Sequence, residues 1–379
     1  MTGAAVIRDE AGLAPLIDAW DDLATRRRQP YSAPAWMLAW WRHLAPRDSR
    51  LAVVAVRDAG GDLVGLAPWY QMRGPGGLSL ARLLGTGHRV EPLAAPGRED
   101  EVAAAVAAAL GGLERGPRVL LLDRVDARSR WPDLLAGAMG PRATVRRERR
   151  VPAPTLATRG RSYEQWLAER SSNFRGQRAR ARRRLEAAGV TARLVGPDDD
   201  PATTAAALMR LHAARWSSMR RESSLAAGVE GMVRDAAAAM VPGGRMRVWL
   251  LERAGRPISA QLFVIGGGEA AYWNGGFDPA EAALRPGFEA LAFAVEHAFR
   301  QGDARIDFGG GSSEYKDRLA DADEPLGPAL IICGGADRAL TEARLLPGRL
   351  RAAAAEGVRR LPPPAQRRVR AAVDRLRGS

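Results

Sequence analysis

The densest run of chemically capable residues in this 379-residue chain is Asp307-Phe308-Gly309-Gly310-Gly311-Ser312-Ser313-Glu314-Tyr315-Lys316. Two carboxylates, a phenol and an ammonium follow a short apolar segment, so proton transfer and anion stabilisation are available in one place. Three consecutive glycines let a ligand approach the backbone closely and use its N–H groups. The run is not a Walker loop, because the Gly–Lys–Ser/Thr arrangement is missing. Lys316 is the only lysine; every other member of the 57 basic residues is arginine. An Ala-, Arg- and Gly-rich composition is enough to make lysine scarce. The alternative is that Lys316 is retained because a compact ammonium serves as a point donor where a planar guanidinium does not.

A second candidate stretch is Asn274-Gly-Gly-Phe-Asp-Pro-Ala-Glu-Ala-Ala-Leu-Arg285-Pro286-Gly287-Phe288. It reads as strand, loop and helix start. Pro286 suits a first helical turn, and the free N–H groups of that turn point back into the loop. Such an N-terminus attracts phosphate, with Arg285 placed to add a charge-assisted contact.

The elements that must position these residues form a pattern used twice. Segments 247–252 and 258–265 make a hairpin around Ala254-Gly255, and a third strand, Ala270 to Asn274, follows the turn Gly266-Gly267-Gly268. A helix then carries Phe288, Leu291, Ala292, Val295 and Phe299 on one face and closes at Gly302, before a strand from Arg305 to Phe308. Upstream, helical patterns over 13–27 and 35–44 precede strands 51–56 and 63–70, a helix over 99–110 and a strand over 118–122. Residues 57–64 align without a gap on 252–259. The Trp36, Trp40 and Trp41 cluster reads as core. Between the halves, 162–189 opens as a capping box and runs into an arginine-rich helix stopped by Gly189. There Arg175, Arg178 and Arg182 fall on one stripe, facing either solvent or phosphate. The division expected is a first domain over 1–155, a second over 156–335 with its basic helix at 162–189, and an Arg-rich helical tail over 336–379.

Composition sets the outer limits. Hydrophobic residues make up 46% and charged residues 26%, as in a folded globular protein. The net charge of +14 is local: 173–189 holds six Arg and one Glu, and 337–379 holds eleven Arg and four acids, so these two segments supply +12. The rest is nearly neutral, which excludes a protein that is basic throughout. The single cysteine, Cys333, excludes an internal disulfide and a Cys-based zinc cluster, and the four histidines show no metal spacing. No apolar run is long enough to span a bilayer and the first residues carry no secretory signal, so a cytoplasmic address is expected.

Tyr272-Trp273-Asn274-Gly275-Gly276-Phe277-Asp278-Pro279, Arg285-Pro286-Gly287, and Asp307-Phe308 with Glu314-Tyr315-Lys316 together resemble the CelD-type acetyltransferase branch of the GNAT superfamily, a branch related to the Fem peptidyltransferases. The likeness extends to Leu211-His212-Ala213-Ala214-Arg215-Trp216 and, more faintly, to Tyr31-Ser32-Ala33-Pro34-Ala35-Trp36. It implies an α/β fold of the α+β kind, with tandem GNAT-like domains, each a mixed, mostly antiparallel sheet flanked by helices. It also implies transfer of an acyl group from acyl-CoA to a primary amine of a small molecule, amino sugar or amino acid. The alternatives are a Fem-like transfer from aminoacyl-tRNA, to which the basic helix would bind, and a non-catalytic GNAT-fold protein of polysaccharide biosynthesis. By carry-over, the pantetheine arm lies along 270–274, including Trp273 and Asn274, and the pyrophosphate lies on 284–288, with Arg285, Pro286, Gly287 and Phe288. Arg215, Trp216, Gly309 and Gly310 are the substrate-side positions.

Amine attack on a thioester needs a proton acceptor, an oxyanion donor and a proton for sulfur. Glu314 or Asp307 fits the first role, Lys316 or a backbone N–H in 309–311 the second, and Tyr315 or Tyr272 the third. Asp307 also reads as a structural carboxylate, the tyrosines as core, and His212 as a packed helix residue. Two departures from the family pattern stand out. Leu319 occupies the position three after the lysine where Fem relatives have an aromatic, and the Arg/Gln-x-x-Gly-x-Gly/Ala loop is replaced by Arg285-Pro286-Gly287.

Overall fold

A computed structural model describes residues 3–85, 89–113, 116–219, 225–311, 313–333 and 339–345. The expected tail over 336–379 lies almost wholly outside the described residues. The first half runs β1 (Gly3–Ile7), α1 (Glu10–Leu13), α2 (Ile17–Arg26), α3 (Pro34–Leu44), β2 (Arg50–Arg57), β3 (Leu63–Arg73), β4 (Ser79–Leu83) and β5 (Leu93–Ala94). It continues through α4 (Glu99–Gly111), β6 (Val119–Asp126), α5 (Trp131–Ala138) and β7 (Thr144–Arg147). The second half runs β8 (Pro154–Ala157), α6 (Tyr163–Ala168), α7 (Ser172–Ala187), β9 (Val190–Leu194), α8 (Pro201–Ser218), α9 (Val229–Met240), β10 (Met246–Arg253) and β11 (Arg256–Gly266). Then come β12 (Glu269–Phe277), α10 (Pro286–Arg300), β13 (Arg305–Asp307), α11 (Glu314–Asp317), β14 (Ala322–Asp323) and β15 (Leu326–Ile332).

Two sheets result, ordered β1-β2-β3-β4-β6-β15-β7 with β5 on β3, and β14-β8-β13-β12-β11-β10-β9. Each contains one parallel pair, β4 with β6 and β12 with β13, among antiparallel neighbours. In each half an antiparallel hairpin (β2–β3, β10–β11) leads to a third strand, a helix (α4, α10) and a parallel partner. The repeated order expected from sequence is therefore a repeated topology, and the fold is a tandem of GNAT-like sheets flanked by helices.

The sheets do not end at the expected boundaries. β8 opens the second sheet at Pro154, and β15, placed in the second domain by the 335 boundary, inserts between β6 and β7 of the first sheet. The apolar run Leu326–Ile332 is largely buried, and a strand buried on both faces needs a partner on each edge. The 162–189 segment is two helices. Ser162 and Gln165 close the capping box at α6, and Ser171 caps α7 through the Phe174 N–H.

One core spans both halves. Trp36 of α3 is fully buried and meets Trp273 of β12 edge-on at 5.4 Å. His43 of α3 and Asp235 of α9 join at 2.7 Å. Trp36 and Trp40 are thus core residues, with Trp41 packed at the margin. Among the described residues no helix is long and apolar enough to cross a membrane.

Helix α8 lies directly on β12. A side chain at Gly276 would collide with the backbone of Leu211 and His212, and backbone cannot rotate away as a side-chain tip can. Gly276→Ala should cost about 2–3 kcal/mol or more in urea unfolding. Gly137→Ala, in α5 with open space around it, should be neutral or stabilising by up to about 1 kcal/mol.

Candidate active site

Strand β12 keeps its antiparallel partner β11 along its whole length but pairs with β13 only from Glu269–Arg305 to Ala271–Asp307. Beyond that point the Phe308 N–H bonds to Pro154 O of β8, and Phe308 itself is fully buried. The chain after Asp307 therefore follows β8, and a wedge opens beside Tyr272. The bulge at Trp273, where Leu262 pairs with Asn274 and Phe263 with Tyr272, sharpens the divergence. Backbone polar groups of β12 lose their parallel neighbour here, leaving a strand edge for an extended ligand.

The wedge faces a cavity of about 240 Å³ lined by Arg215, Gln261, Tyr272, Phe277, Arg285, Pro286, Gly287, Phe288 and Tyr315, among others. Its floor is the start of α10. Pro286 takes a first-turn position, and Arg285, the residue before it, adopts a left-handed conformation with φ 53°. Strain of this kind in a non-glycine residue marks a position fixed by its surroundings. The Arg285 guanidinium lies over the Phe288 ring at 5.1 Å, at the end of the helix that carries partial positive charge. Arg215 reaches the cavity from α8, over the rings of Phe277 and Tyr315 at 6.0 and 5.8 Å.

Lys316 stands beside this cavity on α11. It is 8% exposed; its Nζ is 3.4 Å from Gly311 O, 3.5 Å from Gly309 O and 5.8 Å from the centre of the Tyr272 ring. Burial, opposed in part by Asp307 and reinforced by Arg124 and Arg215, pulls its ammonium down to about 8. Tyr272 is buried at the base of the wedge. Its hydroxyl donates to Gln261 Oε1 at 2.9 Å, Gln261 donates to Ser259, and Ser259 donates to Gly276 O. Burial first, then Tyr315, pushes the Tyr272 hydroxyl well above the usual tyrosine range, so it remains a proton-bearing group.

The residues singled out in sequence divide into three groups. Lys316, Tyr315, Tyr272, Arg215, Arg285, Pro286, Gly287 and Phe288 converge on one cleft. Asp307, Gly309 and Gly310 border it from the first-half side. Asp307 has both oxygens engaged, one 3.0 Å from Arg89 Nε and the other accepting the Gly309 N–H at 2.8 Å, which makes it a positioning carboxylate. The third group points elsewhere. The Trp273 ring belongs to the shared core against Trp36, Asn274 Oδ1 accepts the Gly275 N–H at 2.9 Å, and Trp216 donates to His212 at 2.9 Å. Glu314 is exposed at the start of α11. His212 is buried, and burial followed by Arg215 lowers it to about 4. Leu319 is fully buried.

The arginine stripe on α7 is divided, with Arg178 buried and Arg175 and Arg182 exposed. Arg178 pairs with buried Glu289, Arg182 lies 3.6 Å from Glu296 and over Phe293, and Arg175 Nη1 donates to the backbone at Ala168 and Arg170. Arg178 is therefore structural, while Arg175 and Arg182 lie on the solvent side of the helix. The site also contains residues that sequence reasoning missed: Gln261, Phe277, and from the first half Tyr31, Arg89 and Arg124. Tyr31 is buried and influenced by Asp307 and Tyr272. Among the described residues no cluster of His, Cys, Asp and Glu has the form of a metal site.

Residues 172–317 match the family described as acetyltransferase (GNAT) domain, a domain of acyl transfer. A search of curated protein sequences finds no match. Among solved structures, FemX is similar with a TM-score of 0.62 at 11% identity, covering 86% of this chain and 96% of that one. L-PGS from Bacillus licheniformis is similar with a TM-score of 0.52 at 11% identity, covering 88% and 95%. At such identities the likeness is one of fold.

The lone lysine makes its own titration readable. After reductive methylation with carbon-13 formaldehyde, the signal absent from Lys316→Arg should titrate near 8, charged below and neutral above. A midpoint at the ordinary lysine value near 10.4 would show that the side chain is solvated.

Proposed function

With residues 172–317 an acetyltransferase (GNAT) domain, we propose that the protein is an N-acyltransferase that moves an acyl group from acyl-CoA to a primary amine of a small molecule. The observation that carries this reading is the convergence of the β12–β13 wedge, the α10 N-terminus with Arg285, and Lys316 on one cleft. An extended thioester arm fits along the unpaired edge of β12, and an anionic phosphate group fits the first turn of α10 with Arg285 and Arg215 nearby.

In this reading the neutral amine attacks the thioester carbon, a C–N bond forms, and the carbonyl electron pair moves to oxygen. Lys316 holds that oxygen in its charged form, supplying the electrostatic part of catalysis in a buried site. Collapse breaks the C–S bond, and the departing thiolate takes a proton from Tyr315, which lines the cavity next to Tyr272. The amine's proton leaves to water, and water returns a proton to Tyr315; Asp307 is held by Arg89 and Gly309 and does not take it.

A second reading takes the acyl group from aminoacyl-tRNA. It is favoured by the absence of the family's glycine loop before α10 and by the exposed Arg180, Arg183 and Arg184 on α7. A salt-sensitive gel shift with charged tRNA, without stabilisation by acyl-CoA, would select it.

The test is thiol release from acetyl-CoA and longer acyl-CoAs across an amine panel. Lys316→Ala should lower kcat by about 10²–10³-fold with the fold intact, and Arg285→Ala should act mainly on the donor KM. In the wild type, kcat should fall as pH rises through about 8, because the charged lysine is the active form; that alkaline limb should vanish in Lys316→Ala. Unaltered turnover in Lys316→Ala would remove the lysine from the mechanism.

A further inference from the structure

Arg124 is a guanidinium with no direct hydrogen-bond or ion-pair partner among the described residues. It lies on β6, where Leu122 pairs with Ala329 and Val125 with Gly327, so Asp123 and Arg124 together face the single residue Pro328. Such a bulge re-aims side chains. Asp123 meets Arg82 at 2.5 Å. Arg124 is carried toward the second half instead. A side chain at Gly310 would collide with its Nη1, so the glycine loop after β13 is shaped around it. It acts electrostatically on Lys316, on buried Tyr31 and on Asp123, whose carboxylate is itself paired with Arg82.

Although half-buried, Arg124 makes no hydrogen bond or ion pair with any described residue. The nearby carboxylates are already committed. Asp307 belongs to Arg89 and Gly309, Asp126 to Arg89 and Arg128, and Glu324 to Arg89, Arg128 and Arg305. Lys316 and Arg215 also form no ion pair with described residues, so three cations gather at Lys316, where Asp307 and Asp317 offset the charge only in part. Partly buried like charges raise the energy of the free protein, and an anionic ligand relieves that cost.

The donor's phosphates are accounted for on the far side of Tyr272, by the start of α10. Arg124 is not among the residues lining that cavity; it approaches Lys316 from the first half, past Tyr31, Asp307 and Gly310. We infer that Arg124 anchors an acidic group on the acceptor, so that the acceptor class is an amine bearing a carboxylate or a phosphate. The first half thus contributes a specificity residue to chemistry carried by the second. The inference rests on the acyltransferase reading for the word acceptor, and on the geometry alone for the anion site.

Two measurements on the full chain separate these. In the first, thiol release is followed with matched acceptors: amino acids against their amides, and an amino sugar 6-phosphate against the free amino sugar. The wild type should prefer the acidic member of one pair. Arg124→Met should lower that preference by about ten- to a hundredfold through KM, with Arg124→Lys in between because it keeps charge without the bidentate fork. Preference for amino acids identifies the group as carboxylate, and preference for the sugar phosphate identifies phosphate. In the second, inorganic phosphate and acetate are titrated calorimetrically into both proteins. Arg124→Met should bind one of them at least tenfold more weakly, while its melting temperature is unchanged or raised. If no acyl-CoA is turned over with any acceptor but this loss is seen, the donor reading fails and the anion site stands. Equal anion binding in wild type and Arg124→Met, or equal acceptor preference where turnover occurs, overturns the inference.

Discussion

The site depends on a competition for the backbone of Phe308. Its N–H bonds to Pro154 on β8, and its ring is fully buried in the second-half core. Continuing alongside β12 would forfeit both. Because the core wins, β12 and β13 part after Ala271 and Asp307, beside Tyr272. The glycines that follow turn the chain across the mouth of this gap, and α11 then brings Lys316 back over the Tyr272 ring. Packing a phenylalanine thereby fixes where the only lysine stands.

The two halves divide the work. The second supplies the wedge, the helix start and the lysine. The first covers the site with Tyr31, clamps Asp307 through Arg89 and presents Arg124. Strand β15 ties the halves together, since it follows the site in sequence yet lies in the first sheet. Its register with β6 creates the bulge that aims Arg124 back at the site. A tandem fold of this kind places the cleft where the surfaces of two halves meet, a common location for ligand sites.

Local patterns were legible in the sequence because they have local causes. Glycine-containing turns between apolar segments marked the hairpins β2–β3 and β10–β11; Pro286 and the apolar face from Phe288 to Phe299 marked α10; and an isolated lysine among arginines drew attention to Lys316. What the sequence did not disclose depends on partners far along the chain. Nothing near Arg178 indicates that Glu289 will bury it, and nothing near Asp307 indicates Arg89. The same distance hid Arg124: one arginine among many becomes unusual only when the carboxylates around it are seen to be taken. The ring of Trp273 was illegible for a related reason, since it packs on Trp36, a partner far along the chain.

In the proposed reaction the open edge of β12 and the start of α10 receive the acyl donor together. Amide hydrogen exchange with and without acetyl-CoA addresses this directly. Slowed exchange should be confined to residues 270–274 and 286–289, with α7 unchanged. Protection that falls on α7 or elsewhere and leaves both of these segments untouched would contradict it.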